Sequence, residues 1–304
     1  MGIISLLFRQ NIIMFLYLLT GYGLYRNRLL TAQGSGELGK MLLYIIMPVA
    51  ILKSYIRDFS TDMLGSLAAS FLAALGCLSL SMLISALVFR KRSAIRQFGA
   101  AFSNAGFIGI PMVQMTLGEE EVFYIASFVA ILNILQWTYG VLIMTGDKTA
   151  VSFGKIRSNP IVLSFLAGLV LFFIPVQMPD ILMNVVGTLA AMNGPLAMIV
   201  LGTYLAQIPL SRLLTDKETY LCAAVRLMVI PGLTVLCLCL MPEKYGDIRM
   251  AVLLAAAAPV GSNVAIFAQL YKKDYTEAVK DVCLSTLLSI FSIPFITGIA
   301  ACIW

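Results

Sequence analysis

The chain has 304 residues, 60% of them hydrophobic, only 12% charged and none of them histidine, with a mean hydropathy of +0.94. Soluble domains carry about 25% charged residues, so a water-soluble enzyme of this length is excluded for want of surface charge. The missing histidine removes the commonest general base, the Ser-His and Cys-His nucleophile systems and zinc sites of the HExxH kind.

Ten apolar runs follow one another, each close to the roughly 20 residues that a spanning helix needs. The first, at about 4–25, is too long for a signal peptide and has no small-residue cleavage site after it, so it reads as a span. The second, 39–55, carries Met47-Pro48-Val49-Ala50, and the third, 63–89, is uninterrupted. The fourth, 98–117, contains Ala100 to Pro111, rich in Gly, Ser and Asn, and the fifth, 122–144, holds Asn133 and Gln136. The sixth, 160–175, opens on Ser158-Asn159-Pro160, and the seventh, 181–205, carries Asn193-Gly194-Pro195. The eighth, 219–240, contains Arg226; the ninth, 249–271, contains Ala258-Pro259-Val260-Gly261-Ser262-Asn263; the tenth is 278–302. All six cysteines fall inside these runs and read as small buried hydrophobes.

The charges sort by side. Connections after spans one, three, five, seven and nine hold fourteen Lys and Arg, among them Arg90, Lys91, Arg92, Arg96 and Arg212, against five in the opposite set. Cytoplasmic loops carry the basic excess, which puts both termini outside a cytoplasmic membrane. This asymmetry accounts for the net charge of +6, so no nucleic acid partner is needed. The fifteen acids, Asp58, Asp216, Glu277 and Asp281 among them, all fall in connections or at span ends. On that reading no carboxylate lies at mid-membrane, which argues against a proton relay and leaves sodium coupling open.

Two halves follow the same plan. Met47-Pro48 in span two corresponds to Gly194-Pro195 in span seven, and the Gly- and Pro-bearing span four corresponds to span nine. Five spans per half is an odd number, so the halves, 1–146 and 160–304 joined by a short cytoplasmic connection at 147–159, lie in opposite orientations. The expected fold is therefore an all-α membrane protein of ten transmembrane helices, an inverted repeat of five plus five, the plan of many secondary transporters.

Proline removes a helix hydrogen bond and clashes with the carbonyl four residues earlier, and broken backbone survives in a membrane only where protein buries it or it lines a cavity. Two breaks at matching places point to a central site where half-helix N-termini face a ligand. Ser103, Asn104, Gly106 and Pro111 mark the first break, and Pro259, Gly261, Ser262 and Asn263 the second. The plain alternative is that Gly, Ser and Pro merely let helices cross closely. Arg226 lies about 7 residues into its span, roughly 10 Å deep, where a guanidinium costs about 2.5–3.5 kcal/mol on insertion scales. An anionic substrate, helix C-terminal carbonyls or snorkelling to the interface would each compensate it. Asn133 and Gln136 read first as helix-to-helix hydrogen bonds.

The segment Phe102-Ser103-Asn104-Ala105-Gly106-Phe107-Ile108-Gly109-Ile110-Pro111, with Leu117-Gly118 after it, resembles the fourth-span signature of the auxin efflux carrier family. Ala258-Pro259-Val260-Gly261 and Phe267-Ala268-Gln269-Leu270-Tyr271 are similar to its ninth-span signature, and Val225-Arg226-Leu227 with Pro231 also fits. That family includes plant PIN-type carriers and bacterial permeases for organic acids such as malate. The resemblance spans the whole chain and implies a scaffold part and a transport part with two broken, crossing helices, as in sodium/proton antiporter-like and bile acid carrier-like folds. It matches Asn104 to the polar residue of the first break and Pro259-Val260 to a Pro-polar pair at the second. Val260 is apolar, which argues against auxin itself, and the connection at 145–159 is too short for the long cytoplasmic loop of many plant members.

The sequence thus points to a multi-pass carrier of a small organic anion, a carboxylate by preference, working by alternating access, with no enzyme activity, cofactor or metal. The expected partners are the anion, the lipid bilayer and sodium or a proton as coupling ion, with a homodimer kept open. The rival readings are a cation-coupled carrier of the same fold and a channel or membrane-embedded sensor. Walker and GxGxxG patterns are absent, so no ATP-driven step is expected in this chain.

Overall fold

Side-chain caps mark where the helices begin. Ser60 and Ser93 accept from the backbone N–H of Met63 and Arg96, Asn159 from Ile161 and Val162, Asp216 from Glu218, and Asp274 from Thr276 and Glu277. Each satisfies one or two of the donors that a helix N-terminus leaves without an internal partner. A computed structural model describes residues 3–57, 59–174, 178–207 and 216–304. Asp58, Arg212 and the expected end of the sixth span near Pro175 lie outside the described residues.

Among the described residues thirteen helices follow in order. They are α1 (Ile3–Arg26), α2 (Ala32–Tyr55), α3 (Thr61–Phe89), α4 (Ala94–Ala101), α5 (Ala105–Thr116), α6 (Glu119–Thr145) and α7 (Phe153–Arg157). After them come α8 (Pro160–Phe173), α9 (Asp180–Ala206), α10 (Lys217–Leu238), α11 (Gly246–Ala257), α12 (Asn263–Leu270) and α13 (Tyr275–Ile303). Among the described residues the regular structure is helical, with one isolated antiparallel bridge between Ser103 and Val260.

Among the described residues six helices, α2, α3, α6, α9, α10 and α13, are long and apolar enough to cross a membrane; the segment Lys148–Arg157 with α8, bent by 49°, makes a seventh if counted as one span. The ten expected spans exceed this number chiefly because two of them are each split into short pieces. Spans four and nine become α4 with α5 and α11 with α12, and no piece exceeds 12 residues.

Proline placement explains the local shape of three helices. Five-residue π turns at Leu42–Ile46, Ala105–Gly109 and Val225–Val229 are each followed by an α segment whose second residue is proline: Pro48, Pro111 and Pro231. A proline ring would strike the carbonyl of the preceding turn, and the wider π turn takes up that clash.

Packing sorts the elements into inside and outside. Ile95 to Ala101 in α4 and Ile248 to Ala257 in α11 are buried without interruption. Helices apolar or covered all round belong at the centre. Leu72, Leu83 and Leu87 of α3, Ile181 of α9 and Phe291 and Phe295 of α13 point outward, the pattern of a surface that faces lipid tails rather than water. Helices α1 and α9 cross backbone to backbone: a Cβ on Gly21 or Gly202 would collide with the carbonyls of Ile199 or Leu18, so only glycine fits.

Two expectations change. Cys77, Cys222 and Cys283 are buried, but Cys237, Cys239 and Cys302 are exposed, because an apolar run says nothing of which way each side chain turns. Asp281, a span-end acid by its place in the sequence, lies two turns inside α13 and is 1% exposed, covered by α4 and α10. Position along a helix gave its depth, and only packing shows its burial.

Candidate functional site

The two broken helices meet at their breaks. After Ala101 the chain turns extended at Phe102 (φ −117°, ψ 113°), and after Ala257 it turns extended at Ala258 (φ −58°, ψ 147°). The two extended pieces pair antiparallel: Asn104 N–H donates to Pro259 O at 2.8 Å, and Gly261 N–H donates to Phe102 O at 3.0 Å. Backbone that has left its own helix thus finds its partners in the other break, which satisfies the requirement that holds inside a membrane. Gly261 is needed for the approach, since a Cβ there would stand 3.0 Å from the carbonyl oxygens of Phe102 and Ser103.

Arg226 holds the crossing from behind. It is 1% exposed; its Nε donates to Ala258 O at 3.1 Å, Nη1 to Ala100 O at 3.0 Å and to Ser81 Oγ at 3.1 Å, and Nη2 to Ala256 O. Ser81 in turn donates to Ala101 O at 2.8 Å. The carbonyls are those that the C-termini of α4 and α11 leave free, and a cation there is favoured by both helix dipoles. Of the compensations the sequence allowed, the carbonyls are present. The second break is also tied to α13, because Val260 N–H donates to Ser285 Oγ at 3.1 Å.

In front of the crossing is a cavity of about 30 Å³, room for about one water molecule. Ser103, Asn104, Gly106, Gly261, Ser262 and Asn263 line it, with Leu43 and Met47 of α2, Phe107 of α5, Val129, Leu132 and Asn133 of α6, and Ile161 of α8. Pro111, Pro259 and Arg226 do not line it: Pro111 packs beside Gly194, Pro259 contributes its carbonyl to the bridge, and Arg226 faces the carbonyls. The lining carries no ionisable side chain.

Hydrogen bonds around the cavity are incomplete. Asn263 Nδ2 donates to Gln136 Oε1 at 2.8 Å, and Asn159 Nδ2 donates to Asn133 Oδ1 at 3.3 Å, so both residues of α6 do link helices. Gln136 opens a π turn, Gln136–Gly140, a distortion that often accompanies a site. Ser103 Oγ, Asn104 Nδ2 and Gln136 Nε2 are buried without a protein partner. An unpaired buried polar group is costly, so donors left free at a cavity are donors available to a ligand. The N-termini of α5 and α12 begin at the two breaks, and each contributes free N–H groups and a positive dipole end.

Sequence reasoning located the breaks but not the apolar wall of Leu43, Met47, Val129, Leu132 and Ile161. The Met47-Pro48 pair was the available signal: its π turn brings Met47 against Gly106, where a Cβ would meet Met47 Cε at 2.9 Å.

A family model described as Membrane transport protein matches residues 6–158 and 150–297. A protein of Rhizobium meliloti (strain 1021) named "Putative malonate transporter" is 25% identical over 286 residues, 86% of this chain and 85% of that protein. The two antiparallel breaks, the outward-facing apolar helices and this match across nearly the whole length lead to one statement: the chain belongs to the membrane transport protein family, that of the auxin efflux carriers its motifs resemble, and is a multi-pass membrane protein with a transport role.

Proposed function

We propose that this protein is a ten-span secondary carrier, built as an inverted repeat of five plus five with both termini outside the cytoplasmic membrane, that moves a small carboxylate by alternating access. The observation that carries the reading is the meeting of two helix N-termini at one cavity with unpaired Ser103 and Asn104 donors and no acidic side chain. A carboxylate accepts hydrogen bonds and is drawn to positive dipole ends. The name of the Rhizobium relative supports a dicarboxylate such as malonate.

Each residue takes its part from position. Ser103, Asn104 and Asn263 donate to the substrate, the N–H groups near Gly106 and Ser262 add to them, and Gly261 lets the breaks close on each other. Pro111 and Pro259 shape the breaks. Arg226 acts one layer back, as a positioning residue whose charge also favours an anion in front of the crossing. The cavity is too small for a dicarboxylate, since small-molecule pockets run to about 300 Å³ or more, so the structure corresponds to a closed stage of the cycle. The crossed helices move as a unit, and movement against α2 and α8 opens the wall.

The test is uptake of a panel of mono- and dicarboxylates by proteoliposomes. Asn104→Ala is expected to raise the KM for the preferred acid about tenfold, equivalent to about 1.4 kcal/mol, while leaving the melting temperature unchanged, because Asn104 Nδ2 bonds nothing in the protein. An unchanged KM overturns the site, and conduction far above carrier rates overturns the carrier.

A further inference from the structure

A second polar group lies away from the cavity, where α4, α10 and α13 begin, at the end of the molecule that carries the basic excess. Arg96 of α4 is 9% exposed and faces three carboxylates: Asp216 at 3.0 Å from Nη2, Glu277 at 3.1 Å from Nη1 and Asp281 at 3.8 Å from Nε. Lys280 stands 3.7 Å from Asp216, and Ser93 donates to Glu277 at 2.6 Å. Arg92 pairs with Glu218 at the rim. Asp216, Glu277 and Lys280 are partly open to solvent, whereas the Asp281 side chain has none.

Asp281 is the odd member. Among the described residues neither of its carboxylate oxygens has a hydrogen-bond partner of normal distance and angle, although Arg96 Nε and Thr219 Oγ1 stand beside it. Cys222, which also faces it from α10, is a buried thiol. A carboxylate shut away from water needs a full counter-charge, and among the described residues the one guanidinium beside it, Arg96, is already divided between Asp216 and Glu277. A metal ion is a poor occupant: a fixed guanidinium stands against the group, and among the described residues no set of His, Cys, Asp or Glu converges as a metal site. A proton satisfies Asp281 without opening the bundle.

The group is wired to the crossing. Ser285, one turn deeper on α13, donates to Asp281 O at 2.7 Å and accepts from Val260 N–H in the second break. Arg96 lies on the helix that ends at the first break, and Arg226, one turn past Cys222 on α10, grips both breaks.

We propose that Asp281 is a proton-binding site through which proton movement is coupled to the crossing of the broken helices, an inference that rests on the carrier reading above. A proton taken from water, entering past the partly open Glu277 and Asp216, forms an O–H bond on Asp281. The neutral acid releases Arg96 to Asp216 and Glu277 alone and frees the start of α4 to shift. The proton returns to water when Arg96 comes back to the carboxylate. This reverses the expectation, drawn from charge positions along the chain, that no buried acid is available for proton coupling.

Two measurements on the purified full-length protein test the proposal. Infrared difference spectra over a titration from about pH 5 to 9 are expected to show a buried protonated carboxyl band in the wild type that disappears in Asp281→Asn. Removing the cation in Arg96→Gln is expected to move that band's midpoint to higher pH. In proteoliposomes with malonate as probe, the ratio of uptake driven by an imposed gradient of about one pH unit to counterflow without a gradient is expected to fall about tenfold in Asp281→Asn. A wild type with no titrating band, or a ratio unchanged by the substitution, overturns the proposal. Should Asp281→Asn fail to fold, the Arg96→Gln midpoint decides: a shift supports the site and an unmoved midpoint overturns it. Malonate flux absent from every variant counts against the substrate, while the spectra still judge the proton site.

Discussion

The two half-helices that lead into the crossing, α4 and α11, do the same task by different means. Both end in carbonyls held by Arg226, and both are buried along their length. Helix α11 is secured by packing: Met250 to Ala257 are buried apolar residues, and its one buried cation, Arg249, donates to Met241 O and lies over the Trp304 ring at 5.7 Å. Helix α4 is shorter, eight residues, and is secured at its start by Arg96 and its three acids and by Gln97, which donates to Tyr139 at 3.2 Å. Apolar packing is indifferent to pH and salt, while ion pairs respond to both. Of the two halves, α4 is therefore the one whose hold depends on charge, and α11 the one whose hold does not.

Removing what the halves share should have the largest effect. Arg226→Met leaves the carbonyls of Ala256 and Ala258 without a side-chain donor and takes one of two from Ala100, and is expected to cost about 3–5 kcal/mol at about 1–3 kcal/mol for each buried acceptor left unpaired, seen as loss of the cooperative melt in detergent. Arg226→Lys recovers only part of it, because one ammonium cannot reach all four acceptors of a planar fork. Next comes the packed half alone: Leu253→Ala in α11, at a side chain with no exposure, is expected to lose about 2–5 kcal/mol. The loss should be the same at every pH; a melting shift that varied with pH would blur the contrast with α4.

The charged half should answer to acid. Burial pushes the Asp216 carboxyl up, but Arg96 beside it, the Glu218 N–H, Lys280 and the Thr219 N–H together pull it down, and the net position is below its ordinary 3.8. A lowered value means that the stabilisation is present above about pH 4 and is lost as pH falls through the folded value. Asp216→Asn should therefore lower the melting temperature near neutral pH and flatten the acid limb of the profile, which a pH series of melting curves would show. The smallest effect belongs to the opposite end of the bundle, where Lys53 and Arg57 of α2 and the turn after it pair with Glu119 and Glu120. These pairs are partly exposed, and Lys53→Ala or Arg57→Ala is expected to change stability by about 0–1 kcal/mol, less at high salt. A larger cost would mark that end, too, as one held by charge.

Much of this architecture was legible in the residues. The apolar runs placed most of the long helices' ends within about four residues, though α2 begins seven residues before the expected 39 and α7 lies in what read as a connection; Asn159-Pro160 announced the start of α8 by its cap, and the Gly, Ser and Pro clusters located both breaks. These are local properties: hydropathy, capping and proline geometry act over a turn or two of chain, so a linear reading captures them. Composition likewise determined that the protein lives in a membrane, since too few charges are present to face water.

Only the tertiary structure decided what the buried charges do. Arg226 and Ala100 are 126 residues apart in sequence and Arg96 and Asp216 are 120 apart, and no local pattern pairs them. The fold turned Arg226 toward backbone carbonyls, buried Asp281 beneath Arg96, and faced three cysteines outward. It also joined the two breaks through the Asn104–Pro259 and Gly261–Phe102 hydrogen bonds. The reason is physical: inside a bilayer an unpaired polar group has no water to fall back on, so its partner is whichever group the packing delivers, however distant along the chain.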